Sequence, residues 1–167
     1  MRSDYDNYFE PEVQAVIRNQ GIDWSIIQFA KDHQKILDAG AGAGILAYKL
    51  RELGKDVTCI DISKKNVDYL HKLALKAVQC DICKLPFKDN EFDLAIAEEV
   101  IEHLVNPGEG IKELCRVAKN VIITMPKMFK DEWHLWDIDY IPYVSAANCI
   151  VLKLTKKEES INKEKNG

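Results

Sequence analysis

The ten residues from Lys35 to Gly44, KILDAGAGAG, constrain this 167-residue chain more than any other stretch. Lys35-Ile36-Leu37-Asp38 is a short apolar run of the kind that forms a buried parallel strand. Glycines follow at alternate positions, Gly40, Gly42 and Gly44. Glycine has no side chain to hold a ligand away from the backbone, and it adopts positive φ in a sharp turn out of a strand. From Ile45 onward Leu46, Leu50 and Leu53 recur at helical spacing. The loop is therefore expected to open a helix whose free N–H groups favour an anionic group, with Gly54 closing it.

Two ligand classes suit such a loop. Gly42-x-Gly44-x-x-Ala47 satisfies the G-x-G-x-x-G/A dinucleotide pattern, whereas the frame beginning at Gly40 fails it at Ile45. Asp38 separates the two. A carboxylate beside the path of a pyrophosphate repels it, and one beside an ammonium and a sulfonium attracts them. That favours S-adenosyl-L-methionine (SAM); a nicotinamide-dependent oxidoreductase rests on the glycine pattern alone. At this point the sequence resembles the class I SAM-dependent methyltransferases, whose signature D/E-x-G-x-G-x-G is matched by Asp38-Ala39-Gly40-Ala41-Gly42-Ala43-Gly44 at every fixed position. The resemblance extends from about Tyr5 to Pro126 and resumes in the last strand. It is to the small-molecule type related to the quinone-biosynthesis methyltransferases.

The resemblance implies a Rossmann-like three-layer α/β sandwich with a mostly parallel sheet, an antiparallel C-terminal edge strand and an abbreviated C-terminal half. Asp56 to Asp61 reads as a second strand ending in an acid, and Asp61, followed by Ile62, lies where an acid would accept from both ribose hydroxyls. Read alone, Asp61 is also a helix N-cap, a role for which Ser63 competes. Ala77 to Ile82 reads as a third strand; by resemblance Asp81 would meet the adenine amino group and the Ile82 backbone the ring edge, the alternative being a plain turn acid. Glu91 to Glu98 reads as a fourth buried strand. The following Glu98-Glu99-Val100-Ile101-Glu102-His103-Leu104 resembles an element of the same family that closes the cofactor side. Glu98 would lie near the methionine part of the cofactor or the acceptor, while Glu102 and His103 serve equally well to orient that helix.

At the N-terminus Tyr5, Tyr8 and Phe9 either staple a helix or, by resemblance, fold over the cofactor as a lid. A helix around Ile22 to Asp32 follows, with Ile22, Ile26, Ile27 and Phe29 inward. Gly108 to Ala118 reads as an amphipathic helix and Asn120 to Pro126 as the fifth strand. An aromatic patch from Phe129 to Tyr143 holds His134, the histidine that by resemblance faces the acceptor. The last strand, Cys149 to Thr155, is expected at the antiparallel edge, separated from that patch by only a short segment where relatives insert a further helix and strand. The substrate wall therefore looks short, and a bulky acceptor, a protein partner or a second copy in a homodimer would complete it.

One domain over residues 1–155 with a charged, disordered tail over 156–167 is the expected organisation. Net charge is −4 and pI about 5.6, with lysines scattered, so no basic stripe marks a nucleic-acid partner. Lys64, Lys65, Lys72 and Lys76 read as a solvated helix face. The absence of a signal peptide or a membrane-length apolar run points to a cytoplasmic protein. Five cysteines are read as free thiols. Cys80-x-x-Cys83 lacks a second ligand pair, and the histidines are dispersed, so no metal is expected.

The function these readings converge on is transfer of a methyl group from SAM, by in-line displacement, to a small-molecule acceptor, leaving S-adenosyl-L-homocysteine. The candidate bases in order are His134, Glu98 and His103; Asp38, Gly40, Gly42, Gly44, Asp61, Ile62, Asp81, Ile82, Glu98, Tyr5 and Tyr8 are the candidate cofactor residues. No Asn/Asp-Pro-Pro-Tyr follows the fourth strand, which disfavours base and amide acceptors. The alternative is a SAM-binding partner or sensor without catalysis.

Overall fold

A computed structural model describes residues 24–126, 141–144 and 149–155. It contains α1 (Trp24–Ala30), β1 (Lys35–Ala39), α2 (Ile45–Glu52), β2 (Asp56–Asp61), α3 (Lys64–Lys72) and β3 (Lys76–Gln79). These are followed by β4 (Phe92–Glu98), a 3-10 turn (Ile101–His103), α4 (Pro107–Val117), β5 (Ala118–Pro126), β6 (Ile141–Val144) and β7 (Cys149–Thr155). The strands form one sheet in the order β3-β2-β1-β4-β5-β7-β6. The first five are parallel, and the strand order reverses between β1 and β4. Ligands of open α/β sheets bind at the carboxyl ends of the strands beside such a reversal.

Alternation along the strands builds a core on each face. Leu37, Ala39, Ile60, Ala95, Ala97, Val121 and Ile123 pack with Ile111, Leu114 and Val117 of α4. Ile36, Val57, Cys59, Leu94, Ile96 and Ile122 pack with Ile26 of α1, Leu46, Ala47 and Leu50 of α2, and Leu70 of α3. The result is helix, sheet, helix, as the sequence implied. β1 is buried on both faces, which explains why it reads as an unbroken apolar run.

Helix ends follow local chemistry. Ser63 caps α3, its hydroxyl accepting from the Asn66 N–H, so Asp61 is released for another role. α2 ends in a Schellman motif: the Gly54 N–H donates to the Arg51 carbonyl and the Lys55 N–H to the Leu50 carbonyl, with Gly54 at φ 76°. α3 closes in the same way, but there the left-handed position is filled by Ala74 at φ 55°.

Leu53 continues the helical spacing as the exposed C-cap of α2, just before Gly54. Three expectations are corrected. β3 stops at Gln79, two residues before Asp81. β5 starts at Ala118, directly after α4, with no intervening turn. β7 runs antiparallel to β5 but is not the edge, because β6 pairs along its other side. The aromatic patch thus contributes a strand of its own at Ile141–Val144. Tyr5, Tyr8, Phe9, Ile22, His134 and the tail lie outside the described residues. Among the described residues no helix is long and apolar enough to cross a membrane.

Candidate functional site

The strand register sets the depth of each acid. Asp38 pairs with Cys59 of β2 and Ile96 of β4, so Asp61 and Glu98 each stand two residues further along their strands, about 6–7 Å beyond it. Asp38 is therefore recessed between two flanking acids. Period-two alternation puts Asp38, Asp61, Glu98 and Thr124 on the same sheet face as Ile36, Cys59, Ile96 and Ile122, the face covered by α1, α2 and α3. Asp38 and Asp61 are buried, and Glu98 is half-buried.

The glycine loop bridges β1 and α2 with Gly40, Gly42 and Gly44 all at positive φ, 78°, 54° and 75°. That conformation was the expected one, and the missing side chains also leave room for the protein's own packing. A Cβ on Gly40 would meet Val100 Cγ2 at 2.5 Å, and one on Gly44 would meet Leu70 Cδ2 at 2.4 Å and Leu75 Cδ1 at 2.9 Å. The loop's amides are also engaged. Gly40 and Ala41 donate to the Ile60 carbonyl at 2.8 and 2.9 Å, Gly42 donates to Asp61 Oδ2 at 2.8 Å, and Gly44 donates to the Ala41 carbonyl at 2.8 Å. Four amides of the loop are thus bonded within the protein, and the helix N-terminus itself opens only at Ile45.

Asp61 is the hinge of this arrangement. Oδ2 accepts from Gly42 and Oδ1 accepts from the Ser63 N–H, both at 2.8 Å, so the carboxylate is held in a fixed plane between loop and helix. Each carboxylate oxygen has two acceptor sites, so a vicinal diol still finds a pair of oriented acceptors here. Ile62 follows, its carbonyl accepting from the Gln79 side chain. Asp81 sits past the end of β3 in an Asx turn, Oδ1 accepting from the Cys83 N–H at 2.9 Å. Ile82 is buried in the α4-side core. The segment bearing Asp81 is tied to α4 by Arg116, which donates to the Leu85 and Phe87 carbonyls and to Glu113 and Asp89. Glu113 in turn accepts from the Leu85 N–H.

On the other side of β1, His103 is exposed on the 3-10 turn, its Nε2 4.0 Å from Glu102 Oε1, whereas the Glu102 side chain is 4% exposed. Two residues at this end escaped the sequence reading. Glu99 takes φ 54° directly after β4, and Thr124 of β5 meets both its backbone and its carboxylate. The only sequence signal was a threonine near the end of the fifth strand; nothing marks a glutamate for positive φ, which favours Gly, Asn and Asp.

The thiols near the site are subdued. Burial, reinforced by Asp38 and Asp61, pushes the Cys59 thiol far above its ordinary range. Burial, then Asp81 and Asp61, pushes Cys80 up to about 11, and burial with Asp81 raises Cys83. Among the described residues no group of three or more His, Cys, Asp and Glu side chains comes together to hold a metal ion.

Comparison with known proteins decides the family. A family model described as "Methyltransferase domain" matches residues 37–121, from the middle of β1 to β5. The chain belongs to the SAM-dependent methyltransferase family. It is 38% identical over 94 residues to malonyl-[acyl-carrier protein] O-methyltransferase of Buchnera aphidicola, covering 50% of this chain and 35% of that protein. It is 33% identical over 92 residues to the ubiquinone biosynthesis O-methyltransferase of Caulobacter vibrioides, covering 50% of this chain and 36% of that protein. The matched region is thus about a third of the length of these two relatives. In fold, it resembles the crystal structure of a SAM dependent methyltransferase from Aquifex aeolicus, with TM-score 0.67 and 21% identity over 87% of this chain and 98% of the other.

The family's cofactor is SAM, and the site suits its chemistry. Acids dominate, Asp38, Asp61, Asp81 and Glu98, where a dinucleotide would need donors. The ligand carries what acids recognise: a ribose diol, an adenine amino group, an ammonium and a sulfonium.

Proposed function

We propose that this chain transfers a methyl group from SAM to a small-molecule acceptor at the carboxyl end of β1 and β4. The observation that carries the reading is the recessed Asp38 between Asp61 and Glu98, beside a glycine loop whose Gly42 amide holds the Asp61 carboxylate. In this assignment Asp61 holds the ribose hydroxyls, with Ile62 beside it. Asp81 accepts from the adenine amino group and Ile82 meets the ring edge. Asp38 and the backbone at Gly40 face the methionine part, and Glu98 stands at the border with the acceptor. Tyr5 and Tyr8 are proposed to cover the cofactor, and the whole is proposed to act as one domain.

When bound, SAM supplies a methyl group on a positively charged sulfur that is already an activated leaving group. The chain's task is then alignment and exclusion of water rather than strong acid catalysis. Asp38 and Glu98 supply negative charge around a cationic centre. A neutral acceptor nucleophile becomes cationic as it takes the methyl group unless it sheds a proton, and for an acceptor that does so His134, then Glu98, then His103 are the proposed bases.

Calorimetric titration of the full chain with SAM, S-adenosyl-L-homocysteine and NADH tests the binding half. One-to-one binding of both adenosyl ligands without NADH binding is expected. Incubation with SAM and a fractionated small-molecule extract then tests transfer by release of S-adenosyl-L-homocysteine. Binding of neither adenosyl ligand refutes the assignment of the site, and binding without release across all fractions refutes the catalytic half.

A further inference from the structure

The turn that leaves β4 is built differently from the other left-handed turns in the described residues. Ala74 and Asn90 take positive φ at exposed positions, whereas Glu99 does so half-buried against Thr124 of β5. Its N–H donates to the Thr124 carbonyl at 3.1 Å and lies 3.2 Å from the Thr124 hydroxyl oxygen. The same hydroxyl donates back to Glu99 Oε1 at 3.3 Å. Thr124 is 1% exposed and lies opposite Glu98 in the β4 and β5 register. A strand residue with any side chain supplies the carbonyl; the Thr124 hydroxyl adds a single oxygen that both accepts from the backbone and donates to the carboxylate.

This reversal at Glu99 decides where Val100 goes. Val100 Cγ2 and Cγ1 stand 2.5 and 3.0 Å from where a Cβ on Gly40 would be, so the Val100 side chain fills the space above the first glycine of the loop. The chain of contact therefore runs from Thr124 through Glu99 and Val100 to Gly40, joining the acceptor side of the sheet to the loop. We infer that Thr124 and Glu99 are a positioning pair for the cofactor loop: their hydroxyl and carboxylate latch the turn so that Val100 clamps Gly40. Neither side chain has to touch the ligand to do this. The inference rests on the reading that the glycine loop holds SAM.

S-adenosyl-L-homocysteine affinity of the full chain is the readout, measured by calorimetry alongside a thermal midpoint. Thr124→Val removes the hydroxyl and keeps the shape; Glu99→Ala removes the carboxylate. Each is expected to weaken binding about tenfold. Thr124→Ser and Glu99→Gln keep a donor and an acceptor and are expected to bind within about twofold of the unsubstituted chain. In a Val100→Ala background, Thr124→Val is expected to add less than about twofold, because a step already removed cannot be lost again. Absence of binding by the unsubstituted chain removes the underlying reading and the latch with it. Binding by the unsubstituted chain with unchanged affinity in Thr124→Val and Glu99→Ala overturns the latch alone. Full additivity with Val100→Ala overturns the route through Val100. If Thr124→Val does not fold, Glu99→Ala against Glu99→Gln makes the same comparison.

Discussion

Asp61→Ala is the substitution that a ligand-binding argument calls for first, and the structure says that it does more than remove a ribose acceptor. The carboxylate takes N–H bonds from Gly42 and Ser63, each at 2.8 Å, and Asp61, Gly42 and Ser63 are all buried. Hydrogen bonds to a charged group contribute about 1.5–3 kcal/mol each, so losing both costs about 3–5 kcal/mol after some water entry. That is a large share of the 5–15 kcal/mol typical of a whole domain, and at about 2–4 °C per kcal/mol it lowers the melting temperature by roughly 6–20 °C. Asp61→Asn keeps one accepting oxygen and is expected to lose about half as much. The assay is thermal and urea denaturation of the ligand-free chain, followed by titration with S-adenosyl-L-homocysteine at a temperature where every variant is folded. An Asp61→Ala variant that melts within about 2 °C of the unsubstituted chain refutes the structural role of the carboxylate.

Ala74→Gly is expected to stabilise the chain by about 0.5–1 kcal/mol, since Ala74 is exposed and its φ of 55° costs an L residue more than glycine loses in chain entropy; urea midpoints decide it. Thiol labelling of the native chain at pH 8, mapped by mass spectrometry, is expected to leave Cys59 and Cys80 unmodified, because burial and neighbouring carboxylates hold both thiols protonated. Labelling of Cys59 without unfolding contradicts this. Asp93 is held below the usual carboxylate range first by the Lys35 backbone N–H and then by Lys119, and Glu113 first by Arg116. Depressed carboxyl pKa values in the folded state give stability that is present above the unfolded pKa near 4 and lost as pH falls through the lower folded values. Urea midpoints between pH 6 and 3 are therefore expected to fall below about pH 4, and less steeply in Asp93→Asn, an identical slope being the refuting result.

What could be read from the sequence was what local pattern determines. β2 was legible to both ends because an alternating apolar run stops at an acid, and the glycine loop because no other residue takes three left-handed positions in five. β3 was overread for a physical reason: Ile82 is apolar because it is buried under α4, not because the strand continues, and Asp81 has already turned the chain. β6 carries Pro142 and only four residues, a pattern that signals an edge at best, so its pairing with β7 was invisible. Glu99 and Thr124 lie 25 residues apart and meet only through the sheet.

The glycines serve packing as well as the turn that the signature implies, since Val100, Leu70 and Leu75 stand where side chains at Gly40 and Gly44 would go. Close packing of loop to helix and turn is what those glycines permit, and the bend they make sends the Gly42 amide to Asp61. At the strand ends backbone amides hold the carboxylates, that of Asp61 by two hydrogen bonds of 2.8 Å and that of Asp81 by one of 2.9 Å. Oriented acids suit a ligand rich in donors and positive charge, which is the ground of the proposed cofactor assignment.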